Sequence, residues 1–265
     1  MNVYLRELRA YRKSTITWVV SLSAIVLMFM AMYPAFSADV ESVTEVLANF
    51  PEAFRAALNL EFGTFFSVLG FYGYLVGFAI LAGAIQAMNL GTGVISKEDT
   101  GKTADFLLSK PVPRVTVMTA KVAAVLTSIL ITNAAFVTAS VIAVASMGDE
   151  FEMGTMLLLA ATMFLVQLAF LALGLLFSVT LPKVKSVVAV SLPTVFGFYI
   201  LGAIGEVLEV EESAFLTPFR WYDPTAIIKS GSLEMKYVWV EIAFVALAVS
   251  ASYLIFLKKD IRAAN

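Results

Sequence analysis

The sequence predicts an all-α integral membrane protein of six transmembrane helices with both termini cytoplasmic, one domain spanning residues 1–265. Composition is the first reason. The chain is 60% hydrophobic and 14% charged, with a mean hydropathy of +0.88, whereas a soluble domain is about 45–50% apolar and about 25% charged. The second reason is uninterrupted apolar length: several stretches exceed the roughly 20 residues needed to cross a hydrocarbon core about 30 Å thick. The third is where the charges fall. Six spans starting from a cytoplasmic N-terminus put fourteen of the 18 Lys and Arg residues inside and fifteen of the 20 Asp and Glu residues outside, as the positive-inside rule requires.

Residues 1–13 place Tyr4, Leu8 and Tyr11 at i, i+4 and i+7, with Arg6, Arg9, Arg12 and Lys13 elsewhere around the helix. This reads either as an N-terminal interfacial amphipathic helix or as the positive flank of the first span. Ser14 to Ala38 is uncharged over 25 residues and supplies a span at about 16–36, too long for a signal-peptide core. An acidic loop, Asp39 to Glu61, precedes 35 uncharged residues, Phe62 to Ser96. A tilted or extended helix at about 64–90 is expected there, with Gly91 and Gly93 as a flexible exit. Gly73 and Gly77 form a G-x-x-x-G pair of the kind that packs helices closely, most often within one bundle.

The third span is expected at about 116–146, with Lys121 near its inner end snorkelling to the headgroups. After the acidic turn Asp149, Glu150 and Glu152 comes a fourth span at about 154–180. A basic turn with Lys183 and Lys185 leads to the fifth, about 186–205, which Pro193 kinks by removing a backbone bond. Residues 206–236 are acidic, then rich in aromatics and prolines (Phe215, Pro218, Phe219, Trp221, Tyr222, Pro224). Such rings favour the interface, so a helical or re-entrant element is expected. The sixth span, about 237–257, carries Glu241 one turn inside, where a carboxylate is tolerable without a special role.

Between the second and third spans lies the polar segment Val94 to Arg114, VISKEDTGKTADFLLSKPVPR, with four basic and three acidic residues. Ser96 and Asp99 have the form of a capping box, and Lys97 to Leu108 contains good helix formers and no proline. A short helix of about 12 residues, about 18 Å long, is predicted, too short to cross a bilayer and suited to lying on its surface. Pro111 ends it. Gly101-Lys102-Thr103 matches the end of a phosphate-binding loop, but Ser96 stands where the first glycine belongs, and no strand or α/β domain surrounds it. A nucleotide site is not expected here.

The run Glu98-x-x-Gly101, then Leu107-Leu108-Ser109-x-Pro111-Val112-x-Arg114 and Lys121, resembles the first cytoplasmic loop of ABC-2 type transporter permeases, the membrane subunits of bacterial and archaeal ABC exporters. The six-span plan extends the resemblance to nearly the whole chain. The resemblance implies that this segment is a coupling helix seated in a cleft of a separate ABC ATP-binding subunit, present in two copies. It makes Glu98, Gly101, Leu107, Leu108, Ser109, Pro111 and Arg114 the partner-coupling residues. Glu98, Gly101, Leu107 and Leu108 would engage the partner, while Pro111 and Arg114 fix the loop against the third span. It further implies a second permease copy, identical or similar, residence in the cytoplasmic membrane, and ATP with Mg held by the partner rather than by this chain.

Other classes find less support. The chain has no cysteine and no histidine, which removes disulfides, thiolate or imidazole metal sites and Ser/His or Cys/His nucleophilic pairs. No convergent carboxylates occur in the spans, so no catalytic residue, bound cofactor or metal is expected. Nothing points to nucleic acid. A secondary transporter or channel, acting without an ATPase, usually carries ionisable groups near the midplane. Here the mid-span polar residues are Gln86, Asn89, Asn133 and Gln167, which read as helix-packing hydrogen bonds. The acidic outer face would attract cationic substrates, but the same asymmetry follows from membrane orientation alone.

Overall fold

Inside a bilayer no water is available to backbone N–H and C=O groups, so a single chain segment satisfies them only as a helix. The computed structural model describes residues 3–38, 40, 44–46, 49–51, 65–101, 113–181 and 184–258, with the backbone alone at 97–101. Among these, the elements are α1 (Val3–Met30), α2 (Tyr33–Ala38), α3 (Val68–Gly101), α4 (Arg114–Ala145), α5 (Met153–Thr180), α6 (Val187–Val207), two 3₁₀ segments (Glu211–Leu216 and Pro218–Arg220), α7 (Pro224–Ser230) and α8 (Met235–Lys258), with no strand. Six helices, with α1 and α2 taken as one, are long and apolar enough to cross a membrane.

Residues 3–13 form one uninterrupted helix with the first span rather than a separate element. The first break comes at residues 31–32, where Pro34 lacks the N–H that would bond the carbonyl of Met30 and its ring crowds that carbonyl. α6 continues through Pro193 to Val207. The aromatic stretch 206–236 contains the two 3₁₀ segments and α7, in keeping with the helical alternative of the expectation. In α7, Pro224 occupies the first turn, Asp223 accepts hydrogen bonds from Thr225 N at 3.0 Å and Ala226 N at 3.2 Å, and Gly231 closes the helix at φ +63°. Each is the residue type that its capping position favours.

The spans form a core and a periphery. α3 and α5 bury 61% of their most apolar windows, whereas α6 buries 17%. α3 packs along α5, α1 along α4, and α8 and α6 flank the central pair. Lipid gives no hydrophobic drive for helices to associate, so close approach through small residues matters. That approach occurs where Gly91 crosses Gly174. A Cβ on Gly91 would lie 2.6 Å from the carbonyl oxygen of Leu171, and one on Gly174 would lie 2.8 Å from the amide nitrogen of Thr92.

This corrects the expected exit at Gly91 and Gly93. α3 remains helical through both and on to Gly101, because Gly91 is a packing contact inside the bundle and no proline intervenes before Pro111. Of the G-x-x-x-G pair, Gly73 admits α7, with Pro224 and Ile228 at 3.2 and 3.3 Å from its would-be Cβ, while Gly77 has nothing within 4 Å.

Three of the four mid-span amides behave as packing groups, whereas the buried Asn89 Oδ1 has no hydrogen-bond partner among the described residues. Gln86 Nε2 donates to Thr132 Oγ1 at 2.9 Å, Gln167 Nε2 donates to Gln86 Oε1 at 3.1 Å, and Asn133 Nδ2 donates to Gln167 Oε1 at 2.5 Å. All four side chains are buried, and together they tie α3, α4 and α5. Interhelical hydrogen bonds in membranes average about 0.6 kcal/mol, with a maximum of about 1.7. Gln167→Leu is therefore expected to lower stability by about 1–2 kcal/mol in detergent unfolding, without abolishing assembly.

Candidate functional site

The candidate site is the polar segment between α3 and α4. Its entry is the last turn of α3, which carries Glu98 and Gly101 as a direct extension of a core span. Ser96 is not the N-cap of a new helix: its hydroxyl donates to the carbonyl of Thr92 one turn back. A serine in an established helix commonly bonds this carbonyl, and the chain is already helical when it reaches Ser96, so the expected capping box does not form. Residues 102–112 lie outside the described residues, and with them Leu107, Leu108, Ser109 and Pro111.

The exit is built more firmly. Pro113 precedes the first turn of α4, a position where its missing N–H costs nothing. Arg114 opens the helix and its Nη1 donates to the carbonyl of Leu257, in the last turn of α8, at 3.5 Å. Thr119 and Tyr253 join their hydroxyls between the same two helices at 3.1 Å.

One α-helical stretch further on, Lys121 does not snorkel to the headgroups. It is 1% exposed, and its Nζ donates to Glu7 Oε1 of α1 at 2.9 Å, where Glu7 is 4% exposed. The expectation failed because the N-terminal helix was considered apart from α4. With α1 laid along α4, the lysine finds a carboxylate nearer than the membrane surface. A third tie, Tyr4 Oη to Thr127 Oγ1 at 3.0 Å, lies beside it. Glu7 is the one acid among the first thirteen residues, and Lys121 is the one charge between Val115 and Met147. That pairing of isolated opposite charges was the available signal.

A model described as ABC-2 family transporter protein matches residues 1–261. The chain belongs to the ABC-2 transporter family. No curated protein matches it. The resemblance drawn from residues 98–121 is thus borne out across almost the full length. The chain is a multi-pass membrane protein of a transport family, generally not catalytic itself, whose members associate with an ABC ATP-binding subunit.

On the opposite face of this ABC-2 family member, residues 206–236 cover a cavity of about 380 Å³ against α3 and α6. Tyr222 anchors the cover. Its hydroxyl donates to Glu241 Oε2 of α8 and both residues are buried. Burial, and after it the neighbouring carboxylate, push the phenol's pKa well above the ordinary tyrosine value, so the hydroxyl keeps its proton. Glu241, expected to be tolerable without a special role, therefore holds the outer segment to the sixth span. Arg220 adds a second anchor, pairing with Glu206 at 2.9 Å and donating to the carbonyl of Val210, also at 2.9 Å. Among the described residues no three His, Cys, Asp or Glu side chains converge as a metal site would require.

Proposed function

We propose that this chain is the permease subunit of an ABC exporter in the cytoplasmic membrane. It moves its substrate outward using ATP that is bound with Mg and hydrolysed by a separate ATP-binding subunit. Two copies of that subunit would dock beneath a permease pair, made of two copies of this chain or of this chain and a similar one.

The observation that supports this reading is how the polar segment is rooted. It leaves the end of α3, a core helix, and enters α4, whose first turns are tied to α8 through Arg114 and to α1 through Lys121. A push on the segment is therefore delivered to four spans at once. The excess of Lys and Arg on this face supports a cytoplasmic location. ATP drives the permease only to the extent that the partner binds one of its conformations better than another. Glu98, Gly101, Leu107, Leu108 and Ser109 are assigned to that contact, and Pro111 and Arg114 to the anchorage.

Replacing Leu107 and Leu108 together with aspartate is expected to abolish ATP-driven transport and co-purification of the ATP-binding subunit, while membrane insertion is unchanged. Transport at the original rate would refute the coupling role. Labelling of a cysteine introduced at residue 105 by a membrane-impermeant thiol reagent from outside the cell would refute the orientation.

A further inference from the structure

We propose that the cavity beneath residues 206–236 is a binding site for an amphipathic organic cation, an ammonium or phosphonium centre carried on an apolar aromatic body. Its volume, about 380 Å³, lies in the range of about 300–1,000 Å³ typical of small-molecule sites. Its walls are aromatic on two sides. Tyr74 and Phe78 of α3 meet edge to face with centroids 5.2 Å apart, and across the cavity Tyr199 of α6 meets Phe219 in the same way at 5.5 Å. Ring faces attract a cation within about 6 Å. The wall already holds one such contact, with Lys236 Nζ 4.6 Å from the centroid of the Tyr237 ring.

Charge decides the sign of the guest. The lining carries the carboxylates Glu206, Glu211, Asp223 and Glu234 against the cations Arg220 and Lys236. Both cations are already paired within the wall, Arg220 with Glu206 at 2.9 Å and Lys236 with Glu234 at 2.7 Å. An anion would have to break an existing ion pair to be held. A cation meets Glu211, which has no cationic partner among the described residues, and the ring faces beside it. The roominess on the α3 side comes from Gly77, whose missing side chain leaves open space where any other residue would enter the cavity.

Binding itself is independent of the partner-driven mechanism. Assigning the cation as cargo, held on the outward-facing side before release, rests on the exporter reading.

The test uses the full chain in lipid nanodiscs, without any ATPase, and two probes of nearly the same shape and opposite charge measured separately: tetraphenylphosphonium and tetraphenylborate. Saturable binding of about one phosphonium per chain, above that of empty nanodiscs, is expected, with no saturable tetraphenylborate binding. Glu211 is exposed, so Glu211→Gln leaves the fold intact and is expected to weaken phosphonium binding about threefold. Tyr74→Ala is expected to weaken it about tenfold and Tyr74→Phe to preserve it, because the ring face rather than the hydroxyl does the holding. Equal binding of both probes, or phosphonium binding that neither Glu211→Gln nor Tyr74→Ala alters, would overturn the proposal. If the cation binds but the Leu107 and Leu108 variant still transports, the site stands and the exporter coupling falls. If coupling holds and no cation binds, the reverse is true.

Discussion

Gly91→Ala and Gly174→Ala are each expected to destabilise the protein by about 2 kcal/mol, the middle of what an inserted methyl costs a packed interior. The reason is what the methyl would strike. At Gly91 it meets the carbonyl oxygen of Leu171 at 2.6 Å and the Cα of Gly174 at 3.0 Å, and at Gly174 it meets the amide of Thr92 and the carbonyl of Met88 at 2.8 and 2.9 Å. These are backbone atoms of two helices, and neither can move without separating α3 from α5 along their length. Gly83 is a graded case, since its would-be Cβ meets Gln167 Nε2 and Met163 Cγ at 3.0 Å, and side chains yield at lower cost than backbone. Gly77→Ala serves as the reference, with nothing within 4 Å. There the gain in helix propensity, up to about 1 kcal/mol, is left unopposed. Denaturant unfolding in detergent should rank the variants Gly77, Gly83, then Gly91 and Gly174, from most to least stable. The double variant at 91 and 174 should cost less than the sum of the singles, because one separation relieves both clashes. A Gly91→Ala protein as stable as Gly77→Ala would mean that the two spans do not cross there.

Those glycines also mark the boundary of what could be read without coordinates. The six spans were legible because lipid leaves the chain so few options: an apolar run of sufficient length must be a helix. The end of the second span was not legible. A pair of glycines followed by charge reads as a helix exit when glycine is judged by its propensity in water, whereas within the bundle Gly91 is the contact itself and α3 runs eleven residues beyond the expected Leu90 to Gly101. At the candidate site, local reading placed Arg114 at the end of the loop, against the third span, but could not supply its partner, Leu257, which is 143 positions away. The cavity was equally hidden, because its walls come from α3, α6 and the 206–236 segment, and no single stretch contains enough of it to be noticed.

The Glu7–Lys121 pair joins residues 114 positions apart, and its removal is the second large effect expected. Glu7→Leu leaves an ammonium, and Lys121→Met a carboxylate, in a site where the two residues are only 4% and 1% exposed in the native protein. A buried charge that loses such a partner costs up to about 3–5 kcal/mol, so each single variant should be destabilised and less well recovered from membranes. The double variant Glu7→Leu/Lys121→Met should return close to wild-type stability, because two apolar side chains of similar bulk fill the same space and no charge is desolvated. The Tyr4–Thr127 bond and the packing of α1 along α4 remain to hold the register. A thermodynamic cycle over the four proteins therefore should give a favourable coupling, much of it the penalty on the buried charge left behind rather than the worth of the bridge. Additive losses would mean that the two side chains do not meet, and α1 would then be held to α4 by the Tyr4–Thr127 bond and helix packing alone.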